Sequence, residues 1–271
     1  MLQNDFEYCA SQFRPEFARP RNGFTNRLVR EALYRALDRP TLADVLTDGI
    51  SPVADSWYHP SDPIYKDLQS AIPQFPYDPG RAQQLLAQAG WVRGPDGILV
   101  YQQTGERFES EIQAGQGSGP MTWATTVSAQ WKAIGADFTQ REVPTAIAGG
   151  AAREFEATRP GPRMASLSAE NFATYRLRTS SIPAESNQWI GQNAGGYSNP
   201  RADALFDRIA SAIDSRERIQ AHRDAVQEVM GDVGLMPLWW NVTPVVMANG
   251  VKGVRTVTIG GTLSSFEWDR D

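Results

Sequence analysis

The chain has 271 residues, 41% of them apolar and 21% charged, with a formal net charge of −5 and a pI near 5.2. That balance suits one large or two small globular domains with a sizeable core. It excludes the basic stripe that nucleic acid demands, and no basic run is long enough to make a membrane-surface patch.

Residues 1–25 read as a polar, irregular entry segment. The opening MLQNDFEYCASQFRPEF shows no positive stretch followed by an apolar run, so it does not read as a signal peptide. No segment reaches the roughly 18 apolar residues of a membrane span. The single cysteine, Cys9, excludes an internal disulfide. TNRLVREALYRALDRP predicts an amphipathic helix with Val29, Leu33, Ala36 and Leu37 on one side and Pro40 as its stop. TLADVLTDG predicts a second, short helix closed by Gly49. Residues 50–77 carry five prolines and five aromatics, which reads as a long structured loop of the functional kind.

DPGRAQQLLAQAG gives Asp78 as N-cap, Pro79 at the first helical position and Gly90 past the end. WVRGPDGILV predicts two extended arms about a Pro95-Asp96-Gly97 turn. RFESEIQAG alternates as a strand, GSGPMTWATTVSAQWKAIG is a helix closing at Gly135, and ADFTQREVP is a strand. Together they make a βαβ unit. Residues 144–197 lack periodicity and predict short helices and loops. A helix follows with Asn199 as cap, Pro200 at its first position, and Leu205, Ile209 and Ile213 along one side. DSRERIQAHRDAVQEVMGD predicts a longer helix with Ile219, Ala225, Val226 and Val229 inward. LMPLWWNVTPVVMANGVKGV is strand-like but interrupted by Pro237 and Pro244, and the end of the chain predicts one more strand.

Motifs for catalysis are absent. His59 and His222, the only histidines, lack metal-ligand spacing, so no metal or cofactor is expected. GQGSGP at 115–120 has neither the lysine nor the spacing of a phosphate loop, although a helix start there could offer N–H groups. No serine sits in a nucleophile elbow. What remains is a set of aromatic and amide-rich runs: Trp57-Tyr58, Asn187-Gln188-Trp189, Asn193 to Tyr197, and Trp239-Trp240-Asn241. Aromatic faces beside amides fit a pocket for a polar organic solute, and tryptophans in strands also serve as core. Strand alternation puts Trp239 and Trp240 on opposite faces, one into the core and one toward a cleft.

Four segments, in this order, carry a resemblance. VREALYRALDRPTLADVL, YDPGRAQQLLAQAGW, GYSNPRADALFDRI and MPLWWNVTPVVMANGVKGV resemble segments of the family 5 extracellular solute-binding proteins of ABC importers, the oligopeptide, dipeptide and nickel-binding type. The resemblance spans about residues 20–255 and corresponds only to the C-terminal half of such proteins. It implies an α/β fold of the type II periplasmic-binding-protein kind: one lobe with a mixed sheet flanked by helices, plus a C-terminal return segment. By it, 1–25 is an entry segment near the hinge, 26–244 the ligand-binding lobe, and 245–271 a tail returning to a missing N-terminal lobe. It implies no catalysis. The implied partners are a small-molecule solute (a peptide, a sugar-like compound or another polar organic), the permease subunits and the missing lobe, with no nucleic acid. The implied location is the periplasm or the cell surface.

In peptide-binding members an aspartate in a DYxDP-like segment holds the ligand's α-amino group. The corresponding stretch here, FEATRPGPRMASLSAENFATY (155–175), has none, leaving Glu156 and Glu170 as its carboxylates and favouring a neutral solute. The cleft residues implied are Asn187, Trp189, Asn193, Tyr197 and Trp240, with Trp57 and Tyr58 beside them. The apolar residues Val251, Val254, Val257, Ile259, Leu263 and Phe266 suggest self-association through the tail. A stand-alone sensing module is the alternative reading.

Overall fold

The computed structural model describes residues 2–143, 149–168, 175–242, 251–252 and 269–270. The first element corrects the reading of 1–25 as irregular: β1 (Leu2–Ala10) is a nine-residue strand. Its residues Phe6, Tyr8 and Cys9 are fully or almost fully buried, and so is the acidic Glu7. A strand covered on both faces shows no polar-out alternation, and its flanking Gln, Asn and Asp hide it further.

α1 (Arg27–Arg35) starts where the Asn26 side chain accepts from the Leu28 N–H, and Val29, Ala32 and Leu33 are its inward residues. α2 (Arg39–Leu46) is capped by Asp38 through the Thr41 N–H, so Pro40 opens this helix and lies beyond the end of α1. Residues 50–77 hold one short α-helix, α3 (Tyr65–Leu68), followed by a 3₁₀ turn at Gln69–Ala71, and residues 52–54 lie along the sheet edge. α4 (Pro79–Gln88) has the predicted Asp78 cap, at 2.7 Å from the Arg81 nitrogen. β2 (Trp91–Arg93) and β3 (Leu99–Tyr101) form the expected antiparallel hairpin.

β4 (Glu109–Ala114), α5 (Ser118–Ala133) and β5 (Asp137–Glu142) form the predicted βαβ unit, with β4 and β5 parallel in register from Glu109↔Asp137 to Ala114↔Glu142. α6 (Gly149–Ala157) leads to β6 (Arg163–Ser168), a strand within the run predicted to hold only helices and loops. Its sequence, RMASLS, has little intrinsic strand character. It is extended because β1 on one side and β4 on the other complete its ladder. α7 (Pro200–Ser211) and α8 (Ser215–Gly231) follow, capped by Asn199 and Asp214. β7 (Met236–Val242) closes the main sheet, and β8 (Val251–Lys252) pairs with β9 (Asp269–Arg270).

The main sheet has the order β5-β4-β6-β1-β7 and is mixed: β1 runs antiparallel to both neighbours. β7 is at the end of that order, where a proline is tolerated, and Pro237 sits at a register shift against Tyr8 with its carbonyl accepting from the Tyr34 hydroxyl at 2.9 Å. Residues 52–54 cover its outer side through Ala54 N–H to Leu238 O and Trp240 N–H to Pro52 O. The 50–77 loop therefore seals an edge. β4 and β6 overlap only at Gln113↔Arg163, so β6, β1 and β7 run on beyond the carboxyl end of β4. The proposed self-associating tail lies outside the described residues apart from the backbone of the β8–β9 pair. No described helix is long and apolar enough to cross a membrane.

Candidate functional site

The stagger between β4 and β6 creates the site. Where β4 stops, the turn at Gly115 and the start of α5 face side chains of β6 and β1 across a cavity of about 370 Å³. Its walls are Glu7 of β1, Met164 and Ser166 of β6, Pro120 and Trp123 of α5, and the charged group Glu156, Arg163 and Arg176. Crevices at the carboxyl ends of sheet strands, next to a helix start, are where open α/β sheets bind ligands.

Glu7 points into this crevice from the middle of β1. Asn241 Nδ2 donates to its carboxylate at 3.0 Å and also lies 3.0 Å from Ser166 Oγ. Burial raises the Glu7 pKa above the usual carboxylate range, against the opposing effect of those hydrogen-bonding partners. Trp123 closes another wall and stands edge-on to Trp239, with ring centroids 5.6 Å apart. Glu156 is bound to Arg163 at 2.6 Å, so its charge is already matched.

Behind this group lies a second cavity of only about 40 Å³, lined by Tyr8, Phe13, Arg159, Arg163, Arg176, Asn193 and Tyr197. It has room for one or two waters and no organic solute. Arg159 is almost completely buried there and donates to the carbonyls of Glu156, Ala10 and Ser11 at 2.8, 3.3 and 3.2 Å. Desolvation lowers its pKa to about 9. A broader groove of about 520 Å³ lies along Arg27, Asn199, Arg201 and Glu228. There Glu228 takes Asn199 at 3.0 Å and Arg201 at 3.1 Å, while Arg27 pairs with Glu31 at 2.8 Å, so these groups satisfy one another.

The seven residues nominated from sequence fall into three places. Trp57, Tyr58 and Trp240 are buried in the core. Trp240 packs on Phe6 at 5.1 Å and on His59 at 4.6 Å, and the Tyr58 hydroxyl meets His222 Nδ1 at 2.7 Å. Trp239 and Trp240 do take opposite faces, as alternation requires, yet both are buried, and neither is presented to open solvent. Asn193 and Tyr197 line the small cavity. The Asn193 amide donates to the carbonyls of Arg178 and Tyr197 and accepts from the Tyr197 N–H, which holds the loop shut.

The glycines before Tyr197 also serve packing. A Cβ on Gly195 would sit 2.4 Å from the Ser11 carbonyl, so the loop can lie against the end of β1 only without one. Asn187 braces a 3₁₀ turn, accepting from the Ala184 N–H at 2.8 Å and donating to the Ile182 carbonyl at 3.0 Å. Trp189 is half-buried in a left-handed conformation beside Gln188, whose carbonyl is tied to Arg153 of α6. Of the two carboxylates left in 155–175, Glu156 is paired and Glu170 lies outside the described residues. Sequence reasoning missed Glu7, Trp123, Arg163 and Arg176. The one available signal was an acid flanked by aromatics in FEYCA, which marks a strand with a polar residue turned inward.

With this geometry in view, comparison with known proteins decides the family. Residues 4–184 match the bacterial extracellular solute-binding proteins, family 5, middle region. The chain belongs to this family. Among curated relatives, this family 5 protein is 28% identical over 238 residues to the oligopeptide-binding protein AppA of Bacillus subtilis, covering 86% of the chain and 42% of that protein. It is 36% identical over 115 residues to the nickel-binding periplasmic protein of Escherichia coli, covering 42% of the chain and 21% of that protein. The solved oligopeptide-binding protein of Thermus thermophilus, complexed with a pentapeptide, shares the fold with a TM-score of 0.78 at 23% identity, covering 96% of the chain and 45% of that structure. The family 5 chain thus spans about two fifths of the length of AppA. These relatives are named for what they bind, and none for a reaction they catalyse.

Proposed function

We propose that this chain forms one lobe of a solute-capture protein that holds a polar organic solute in the crevice at Glu7, Trp123 and Arg163 and delivers it to an ABC permease. The carrying observation is the crevice itself: about 370 Å³, walled by an aromatic ring and by the charged side chains of Glu7, Glu156, Arg163 and Arg176. A single lobe supplies one wall. The opposite wall comes from a second lobe, and hinge closure between the two buries the solute. Support for two lobes comes from the fraction of the relatives' length that the chain spans. The amino end of β1 and the carboxyl ends of β6 and β7 lie at the same edge of the sheet, which suits strands that lead to and from a hinge.

Of the seven residues nominated from sequence, none lines this crevice, and in this reading they hold the lobe in shape. The periplasmic names of the relatives support a location outside the cytoplasmic membrane. The test is calorimetry on the 271-residue chain and on the protein encoded by its complete gene. The expected outcome is tight solute binding by a two-lobe form and binding at least ten-fold weaker by this lobe alone. Equal affinity for both would break the two-lobe reading. A stand-alone sensing module would show solute binding without any effect of permease deletion on uptake.

A further inference from the structure

Residues 55–75 form a strap fastened at three places. At its base, Arg39 of α2 donates to the Ala54 carbonyl at 2.8 Å, to the Asp55 carboxylate at 3.0 Å and to the Phe75 carbonyl at 3.2 Å. Farther along, Arg223 of α8 donates to the Asp67 carbonyl and to Ser70 Oγ at 3.1 Å. Neither fastening contains a histidine. The stretch between them is held by the chain's only two: the Tyr58 hydroxyl meets His222 Nδ1 of α8 at 2.7 Å, and the His59 ring packs edge-on against Trp240 of β7 at 4.6 Å.

His59 also shapes the turn that follows it. The Ser61 N–H, which can only donate, reaches His59 Nδ1 at 3.1 Å, and Ser61 Oγ lies 2.6 Å from the same nitrogen. Nδ1 is therefore bare, and the proton of the neutral ring is on Nε2. This is the contact of an Asx turn, with an imidazole nitrogen in place of the side-chain oxygen. The turn continues through the Asp62 N–H to the His59 carbonyl and the Tyr65 N–H to the Asp62 carbonyl, both at 2.9 Å. A proton on Nδ1 would oppose the Ser61 N–H and place a cation on a ring that is only 4% exposed. Among the described residues, Asp62 of the strap draws protons toward both rings, and Arg218 of α8 repels one from His222. Desolvation outweighs both and lowers each histidine below its ordinary pKa.

We propose that the strap is an acid-released seal: protonation of His59 breaks the turn, and residues 56–64 lift from β7 and α8 while Arg39 and Arg223 hold the two ends. Release uncovers Trp57, Tyr58 and Trp240, on the side of the sheet away from the crevice, so the device does not depend on the solute-capture reading. Each unit by which pH falls below the ordinary histidine value favours the open form by about ten-fold per proton taken up. The opening is local, because the fastenings at both ends remain.

The test uses the protein encoded by the complete gene and His59→Asn, whose side-chain oxygen can accept from the Ser61 N–H but does not titrate. Amide hydrogen exchange at pH 7.5 and 5.0, expressed as protection factors, reads the Ser61 and Asp62 amides against those of β4 and β5. The wild type is expected to lose at least ten-fold protection at Ser61 and Asp62 on acidification, with β4 and β5 changing less than three-fold. His59→Asn is expected to lose at most three-fold at Ser61 and Asp62. On the unmodified protein, nitrogen NMR of labelled histidine is expected to show His59 at pH 7.5 with its proton on Nε2. A smaller loss in the wild type, an equal loss in β4 and β5, a His59→Asn protein as acid-sensitive as the wild type, or a proton on Nδ1 at pH 7.5 would each overturn the proposal.

Discussion

The two faces of β7 differ although they are made by consecutive residues. Trp240 points to a sealed side, where Phe6, His59 and residues 52–58 leave no space. Trp239 points to the other side, where it meets Trp123, which in turn lines the crevice that Glu7 shares. Aromatic content is high on both, so aromatic content alone does not mark a binding surface. What separates the faces is strand stagger. Covering elements close over the first face, while on the second β4 stops short of β6 and leaves polar groups facing a gap.

The largest expected effect that separates the two faces is in Trp240→Ala. It should destabilise the fold by about 3–5 kcal/mol, because it empties a packed aromatic site. Chemical denaturation measures this, and a loss below about 1 kcal/mol would show that the sealed face is not sealed. Trp123→Ala, on the crevice face, should cost less stability but weaken solute binding about ten-fold, read by calorimetry. If Trp123→Ala proves the more destabilising of the two, the assignment of roles is reversed. Asn193→Ala should cost about 1–3 kcal/mol by leaving the Tyr197 amide and two carbonyls unpaired. Solute affinity measured on the folded variant should stay the same, since this residue shapes the loop.

The smallest effects are in pH dependence, and they have opposite signs on the two faces. His222 Nδ1 and the Tyr58 hydroxyl share a hydrogen bond of 2.7 Å, and desolvation lowers the His222 pKa below 6.5. The unfolded chain then binds the extra proton more readily, so stability falls as pH drops below about 6.5. Tyr58→Phe should lose about 1 kcal/mol at pH 8 and show a flatter dependence between pH 7 and 5. Glu7 behaves oppositely. Its folded pKa is raised above 4.5, so its neutral form favours folding and stability falls as pH rises through the folded value. Glu7→Gln keeps the acceptor for Asn241 and removes that ionisation. Its melting temperature should match the wild type at pH 4 and exceed it at pH 7. A Glu7→Gln curve parallel to the wild type would show that the carboxylate is solvated.

Much of the fold was legible. Asp78 and Asn199, read as caps from the sequence, each accept from a backbone N–H at a helix start, because capping is a local reaction between a side chain and amides two or three residues away. The βαβ unit and the hairpin were legible for the same reason. β1 and β6 were not. Neither LQNDFEYCA nor RMASLS carries a strand's alternation, and each is extended through partners more than a hundred residues away.

The sequence by itself determined the starts of the helices capped by Asp78 and Asn199, the hairpin, the parallel unit and, through four ordered segments, the family. Those depend on contacts between near neighbours and on the order of motifs. Pro40 and Ile213, by contrast, fall outside the helices that the sequence pattern has them close or line. Only the tertiary structure decided which aromatics are core and which line a cavity, because burial of Trp57, Tyr58 and Trp240 depends on what covers the sheet edge. It also decided that Glu7, Trp123, Arg163 and Arg176 share one crevice. They come from distant parts of the chain, and a stagger between two strands brings them together, a property that no local pattern encodes.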